Sequence, residues 1–312
     1  MSAAIEPTWP TVRVTVSVNE LDWASGELWD LGTTGIAEHP LPNGEMTLVC
    51  GFPSEEEAVS ALSCLPTSWR PMLDVVHGAE WLDAWREHFP VTRIGRFLLV
   101  PAWKDTAGSR PEGVGRPGEH RSEAVERSPS VTAGDALLRD LGPDDIVMAL
   151  DPGRAFGTGA HPSTALILEL LPDLITPGMS VLDVGCGSGV LSVAAALLGA
   201  SSVVGVDIED EAVRVTQANA ALSNVSSVVV AATTPVAKVP GTYPLVLANI
   251  LAPVLLALAP HLTARVAPGG HLVLAGFIDT QVDQVTSVYE ALGLTLDSTA
   301  EHGIWRSMVL TH

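Results

Sequence analysis

The stretch Ser180-Val-Leu-Asp-Val-Gly-Cys-Gly-Ser-Gly-Val190 decides the fold of this 312-residue chain. Its first half is an apolar run typical of a buried parallel strand, and three glycines alternate through its second half. An Ala- and Leu-rich run, Val190–Leu198, follows at once and predicts a helix. A strand, a glycine turn and a helix in this order predict a site for a nucleotide-like ligand. Glycines admit the ligand close to the backbone, and the helix start offers free N–H groups.

The next apolar run places an acidic residue at the end of a second strand. Ser202–Val206 predicts that strand, and Asp207 follows it, 18 residues after Gly189. A carboxylate at this position can accept hydrogen bonds from both hydroxyls of a ribose. The glycine turn and Asp207 therefore predict one shared site.

The spacing of the glycines favours one class of cofactor. The dinucleotide fingerprint GxGxxG requires a small residue at the position where this chain has Val190. The glycines of this chain instead have the spacing Gly185-x-Gly187-x-Gly189. Asp183 stands two residues before the first glycine. The resulting D-x-G-x-G-x-G form resembles the S-adenosylmethionine site of seven-stranded methyltransferases. A nicotinamide cofactor and a glycine turn that binds nothing are the alternatives.

Composition limits the class of protein and its partners. The chain carries a formal net charge of −20 with a pI of about 4.6, so we expect no direct binding to nucleic-acid phosphates. A basic protein would be attracted to such a surface; an acidic surface that serves solubility alone is the alternative. With 47% hydrophobic residues, the chain can form two sizeable cores, and its length predicts two domains.

Signals for export, membrane insertion and metal binding are missing from the sequence. No apolar run reaches about 18 residues, and Met1–Trp9 lacks the regions of a secretory signal. The three cysteines, Cys50, Cys64 and Cys186, have neither metal nor disulfide spacing. We therefore expect a cytoplasmic protein without a metal site, and we expect it to be a monomer.

The N-terminal region, Trp9–Pro101, predicts a small α+β domain. Its patterns follow in the order β-α-β-β-α-β, which is typical of a ferredoxin-like unit, and a further strand is predicted at Phe97–Val100. No catalytic cluster occurs here, so substrate recognition is the expected role. A helix at Glu80–Phe89 carries aromatic residues at helical spacing, which indicates a core-facing side or a patch for a partner. These residues are Trp81, Trp85 and Phe89.

Residues 105–130 break the pattern of strands and helices. They are rich in Gly, Pro, Ser, Arg and Glu and nearly free of large apolar side chains, which predicts disorder. The resulting division is a recognition domain over residues 1–104, a linker or insertion over 105–145, and a cofactor-binding domain over 146–312.

The second half of the chain alternates strands and helices, which predicts a doubly wound parallel sheet. A closing hairpin formed by Leu294–Thr299 and Ile304–Leu310 predicts an antiparallel edge. Ligands of such sheets bind at the carboxyl ends of the strands. Gly185, Asp207 and Asn249 all lie at such ends, which supports one shared site.

A glycine-broken loop, Asp151–Thr164, precedes this region and leads into a helix at His161–Leu171. Phe156 and the glycines that follow it can close over the cofactor. Thr164 lies near the helix start, where it can donate a hydrogen bond to the ligand or merely face the neighbouring strand.

These motifs together resemble one family, the ribosomal protein L11 methyltransferases (PrmA-type). The matching motifs are Asp151–Thr164, Asp183–Gly189, Val206–Ile208, Ala248–Leu251, Glu80–Arg86 and Phe97–Trp103. The resemblance implies a ferredoxin-like domain that recognises the ribosomal protein, then a Rossmann-like seven-stranded, doubly wound methyltransferase domain that binds S-adenosylmethionine. It also implies that lysine side chains and the α-amine of the substrate are methylated. The 105–130 insertion departs from the family pattern.

The resemblance places the cofactor contacts on Thr164, Gly185, Asp207 and Asn249. The wider predicted set adds Phe156, Gly157, Thr158, Gly187, Gly189 and Ile208. Asn249 is also the predicted catalytic residue, because its carboxamide can accept an N–H of the incoming amine and aim the nitrogen lone pair at the methyl group. A methyltransferase for another protein or a small molecule, and a non-catalytic module that binds the cofactor, are the alternatives.

Overall fold

A computed structural model describes residues 8–33, 35–41, 43–77, 91–103, 137–138, 140–151 and 161–312. The chain divides into two compact units. The first unit comprises Met1–Phe89 with Ile278–Thr280 and Glu301–Trp305; the second comprises Pro90–Phe277 with Gln281–Ala300 and Arg306–His312. In the described ranges, no helix is long and apolar enough to cross a membrane.

The first unit contains a four-stranded antiparallel sheet with the strand order β2-β3-β1-β4. Its elements are β1 (Thr8–Ser17), α1 (Leu21–Asp30), β2 (Gly35–Pro40), β3 (Glu45–Gly51), α2 (Glu55–Cys64) and β4 (Met72–His77). Val12 pairs with Cys50 and Val14 with Leu48, and all four side chains are fully buried. Because alternate residues of a strand face the same side, this register gives the sheet one apolar face. The two helices complete the core with Ala24, Leu28, Ala58 and Ala61.

A three-stranded sheet, β5-β6-β7, opens the second unit. Its strands are β5 (Thr92–Ile94), β6 (Phe97–Pro101) and β7 (Ile146–Leu150). The sequence analysis assigned the strand at Phe97–Val100 to the N-terminal domain, and the structure corrects this assignment. Strand β6 pairs in parallel with β7, all five of its residues are buried, and Phe97 and Leu99 belong to the core of the second unit. Periodicity alone predicted the strand correctly but could not show which partner covers it.

Two predicted segments cannot be compared with the structure. The helix at Glu80–Phe89, with Trp81, Trp85 and Phe89, lies outside the described residues, and so does the insertion at residues 105–130.

The large sheet of the second unit has the strand order β10-β9-β8-β11-β12-β14-β13. Its strands are β8 (Ser180–Val184), β9 (Ser202–Val206), β10 (Val229–Ala232), β11 (Tyr243–Asn249), β12 (Val266–Ile278), β13 (Thr295–His302) and β14 (Trp305–Thr311). Strands β8 to β12 pair in parallel, whereas the two-residue connection between β13 and β14 requires an antiparallel hairpin. The predicted α/β fold with a large mixed sheet is therefore confirmed.

Helices cover both faces of this sheet. They are α3 (Pro162–Leu174), α4 (Val190–Leu197), α5 (Asp210–Leu222), α6 (Ala252–Thr263) and α7 (Val282–Ala291). Alternate residues of β11 enter different cores: Leu247 packs in the core that contains residues of α3 to α5, and Val246 packs in the core that contains residues of α6 and α7. Strands covered on both sides read as continuous apolar runs. Their polar residues therefore concentrate at the strand ends, where the candidate site lies.

Candidate functional site

The glycine turn after β8 has left-handed backbone geometry at each of its three glycines. The φ angles are +76° at Gly185, +52° at Gly187 and +77° at Gly189. A Cβ atom at Gly189 would lie 2.8 Å from the backbone of Thr216 in α5, and a Cβ at Gly185 would overlap the side chain of Ile250. The turn therefore needs glycine for its conformation and also for its close contacts with neighbouring elements.

Asp207, at the end of β9, is hydrogen-bonded directly to this turn. Its Oδ2 accepts the N–H of Gly187 over 2.9 Å, and its Oδ1 accepts the N–H of Glu209 over 3.1 Å. These two bonds fix the orientation of the half-buried carboxylate. Ile208 follows and is 93% exposed.

Asp183 is a buried acid at the base of the turn. Only 1% of the residue is exposed, and its Oδ2 accepts the hydroxyl of Ser192 over 2.6 Å. Burial raises the pKa of Asp183 to about 6; the nearby charge of Asp207 also raises it, and the bond from Ser192 opposes the rise. Within the described part of the chain, no group hydrogen-bonds its Oδ1.

Asn249 is the last residue of β11, and only the nitrogen of its carboxamide is hydrogen-bonded to a described residue. Its Nδ2 donates to the hydroxyl oxygen of Thr164 over 2.9 Å. Thr164 lies in the first turn of α3, which His161 caps by accepting the N–H of Ser163 through Nδ1. The Oδ1 of Asn249 is buried, and among the described residues nothing donates to it. An acceptor of fixed direction therefore lies at the carboxyl end of the sheet.

Ile250 connects this asparagine to the neighbouring strands. Its side chain fills the space over Gly185, after β8, and its backbone lies against Gly276 in β12. A Cβ atom at Gly276, whose φ is +91°, would lie 2.5 Å from the carbonyl oxygen of Ile250. The residue after Asn249 is therefore enclosed by two glycines.

These contacts bring the described site residues of the sequence analysis into one region. Asp207 bonds Gly187, Gly185 touches Ile250 next to Asn249, and Asn249 bonds Thr164. The loop residues Phe156, Gly157 and Thr158 lie outside the described residues. Their cofactor contacts, like those of the other predicted residues, stay predictions.

Sequence reasoning assigned no role to two buried polar residues of α5, Thr216 and Asn219. Both hydrogen-bond carbonyl groups of the glycine turn. In the sequence, only their three-residue spacing indicated that the two polar side chains share one face of the helix. Across the described ranges, no group of three or more His, Cys, Asp or Glu residues is arranged to hold a metal ion.

Comparison with known proteins identifies the family. The family profile described as ribosomal protein L11 methyltransferase (PrmA) matches residues 135–312. The ribosomal protein L11 methyltransferase of Geobacter metallireducens is 41% identical over 240 residues, which cover 77% of this chain and 68% of that protein. The chain belongs to the ribosomal protein L11 methyltransferase family. The predicted resemblance and the predicted enzyme class, a methyltransferase, are thereby confirmed.

Other ribosomal protein L11 methyltransferases match over nearly the full length. That of Sorangium cellulosum is 34% identical over 309 residues, which cover 95% of this chain and 87% of that protein. The crystal structure of the ribosomal protein L11 methylase from Lactobacillus delbrueckii subsp. bulgaricus superposes with a TM-score of 0.55 at 28% identity, covering 71% of this chain and 98% of that one. The similarity to family members therefore includes regions outside the glycine motif.

Proposed function

We propose that this chain is an S-adenosylmethionine-dependent protein N-methyltransferase that methylates lysine side chains and the α-amine of ribosomal protein L11. Membership of the family supports both the activity and the substrate. The structural observation that carries the proposal is the buried Oδ1 of Asn249, to which no described group donates. Leaving a buried acceptor unpaired costs free energy. Its presence at a ligand-binding edge of the sheet is explained by an N–H group that arrives with the substrate.

The residues at the glycine turn fit S-adenosylmethionine. A carboxylate offers about four acceptor positions, and backbone N–H groups use two of those on Asp207, so both oxygens can still accept ribose hydroxyls. The positive φ angles at Gly185, Gly187 and Gly189 form a turn that leads into the start of α4, where free N–H groups can face a ligand. When bound, the cofactor supplies a methyl group on a positively charged sulfur, which an amine nitrogen attacks directly.

The chain's own residues then position the amine. A lysine has an ordinary pKa of about 10.4, so the amine must lose a proton before its lone pair can react. Burial in an apolar environment favours the neutral form. Asn249 accepts one N–H of the neutral amine through Oδ1, and Thr164 fixes the direction of that oxygen by accepting from Nδ2.

The first unit is proposed to recognise the ribosomal protein. Its antiparallel sheet, with the order β2-β3-β1-β4 and helices after β1 and β3, supports the ferredoxin-like assignment. A net charge of −20 suits a basic partner. The linker over residues 105–145, the monomeric state, the absence of nucleic-acid binding and the cytoplasmic location stay predictions of the sequence.

Methyl transfer to purified components tests the proposal. The chain is incubated with methyl-labelled S-adenosylmethionine and unmethylated ribosomal protein L11, and a different basic ribosomal protein serves as the control. We expect label in L11 alone, on lysines and the α-amine. Label only in the control protein or in a small molecule would support the alternative substrates, and no transfer at all would support a non-catalytic module.

The role of Asn249 is tested separately. Asn249→Ala should lower kcat about 100-fold and weaken the binding of S-adenosylhomocysteine much less, because its main effect is to remove the acceptor for the amine. Unchanged turnover would exclude this role.

A further inference from the structure

Helix α5 holds the glycine turn through two fully buried side chains, Thr216 and Asn219. The hydroxyl of Thr216 donates to the carbonyl of Gly187 over 3.1 Å. The side-chain amide of Asn219 donates to the next carbonyl, that of Ser188, over 2.8 Å. Two consecutive peptide groups of the turn are therefore oriented by one face of α5.

Asn219 also contacts a third segment. Its carboxamide oxygen accepts the N–H of Asp151 over 2.8 Å. Asp151 directly follows β7, at the carboxyl end of that strand. The donor and the acceptor of this buried carboxamide thus join the end of β7 to the glycine turn.

A second residue of the same region offers a comparison. Ser223, which follows α5 and lies four residues after Asn219, donates its hydroxyl to the carbonyl of Ala149 over 3.1 Å. This bond also connects the end of α5 to β7, but its acceptor lies within the strand. Ser223 therefore serves as a matched control for Asn219.

We propose that Asn219 is a positioning residue for cofactor binding, which fixes Asp151, at the end of β7, against the glycine turn. This inference rests on the proposed function, since it takes the glycine turn as the S-adenosylmethionine site. Without Asn219, the turn and the end of β7 lose their common support, and binding must restore their arrangement. Affinity for the cofactor then falls, whereas the chemical step depends on Asn249 in β11 and is preserved at saturation.

Calorimetry with S-adenosylhomocysteine and steady-state methylation of ribosomal protein L11 test this role. Asn219→Ala should weaken S-adenosylhomocysteine binding at least about tenfold, raise the KM for S-adenosylmethionine similarly and change kcat less than about threefold. Ser223→Ala should stay within about twofold of the wild-type chain in all three quantities.

A second variant covers the case in which Asn219→Ala does not fold. Asn219→Leu nearly keeps the side-chain volume and loses both hydrogen bonds without burying a charge, so its affinity should fall at least about fivefold. Thermal unfolding without ligand is measured for every variant. Unchanged affinity with a lowered unfolding temperature, or an equal loss of affinity in Ser223→Ala, would overturn the positioning role. A wild-type chain that binds no S-adenosylhomocysteine would instead contradict the proposed function itself.

Discussion

Asn249 and Thr164 are 85 residues apart in the sequence, yet the amide of the first donates to the hydroxyl of the second over 2.9 Å. Thr164 is 1% exposed, so water does not compete for this bond. Because this bond uses Nδ2 of Asn249, it leaves Oδ1 as the atom that can accept a hydrogen bond. A residue expected from the sequence to touch the cofactor thereby also controls the proposed catalytic group.

Thr164→Val tests this control. Valine has nearly the same shape but cannot accept from Nδ2, so the carboxamide loses its fixed direction. We expect kcat for L11 methylation to fall five- to tenfold, which corresponds to one hydrogen bond of about 1 kcal/mol. Thr164→Ser keeps the hydroxyl and should retain most of the activity. Equal kcat values for the valine and serine variants would contradict the argument.

Gly189→Ala tests the packing of the turn against α5. The new Cβ would lie 2.8 Å from Thr216 at a φ of +77°, so both strain and overlap should lower the free energy of unfolding, by about 2–4 kcal/mol. Gly178→Ala is the control, because its φ is +89° and nothing lies within 4 Å of the new Cβ. It should cost only about 1–2 kcal/mol in denaturant unfolding. Equal losses would show that overlap with α5 does not matter.

The buried acid predicts a dependence of stability on pH. The pKa of Asp183 is raised to about 6 in the folded chain, mainly by burial, so between about pH 4 and pH 6 the folded state binds more protons than the unfolded state. The destabilisation from this group is therefore absent at low pH, develops as the pH rises through this window and is complete above it.

Asp183→Asn removes this titration. The stability of the variant relative to the wild-type chain should increase from pH 4 to pH 7, by roughly 3 kcal/mol at most, in urea unfolding at each pH. Ser192→Ala removes the hydrogen bond that opposes the shift, so the upper end of the window should move above pH 6. A difference that stays constant with pH would rule out a titrating Asp183.

Ile208 offers a test of the cofactor site that leaves the core untouched. Its side chain is 93% exposed, so Ile208→Ser should change the free energy of unfolding by less than about 0.5 kcal/mol. If the cofactor covers this side chain, affinity for S-adenosylhomocysteine should fall about fivefold, as expected for losing about 1 kcal/mol of apolar burial. Val230→Ser, at a position 61% exposed on the neighbouring strand β10, should leave affinity unchanged. Equal affinities of Ile208→Ser and Val230→Ser for S-adenosylhomocysteine would show that Ile208 does not contact the cofactor.

Local sequence patterns predicted much of the second unit. The apolar run before Gly185 and the acid at 207 identified two neighbouring strands, because the side chains of a parallel strand covered on both faces are mostly apolar and those at its end need not be. Their hydrogen-bonded contact, between Gly187 and Asp207, follows from the connection of consecutive parallel strands.

Contacts between distant segments could not be predicted in this way. The bond between Asp151 and Asn219 spans 68 residues, and nothing in the spacing around either residue indicates the other. The partner of β6 was missed for a similar reason, since its pairing with β7 bridges the insertion between them. A single sequence shows which residues are apolar, but the choice of partner depends on the packing of the complete unit.

The contacts of Ile250 with two glycines bear on the proposed role of its neighbour Asn249. A Cβ atom at Gly185 would overlap the side chain of Ile250, and one at Gly276 would overlap its backbone. A side chain added at either glycine would therefore displace Ile250, and with it the end of β11. In the proposed mechanism, the Oδ1 of Asn249 then keeps one position relative to β8 and β12, and each target nitrogen must be delivered to that same point.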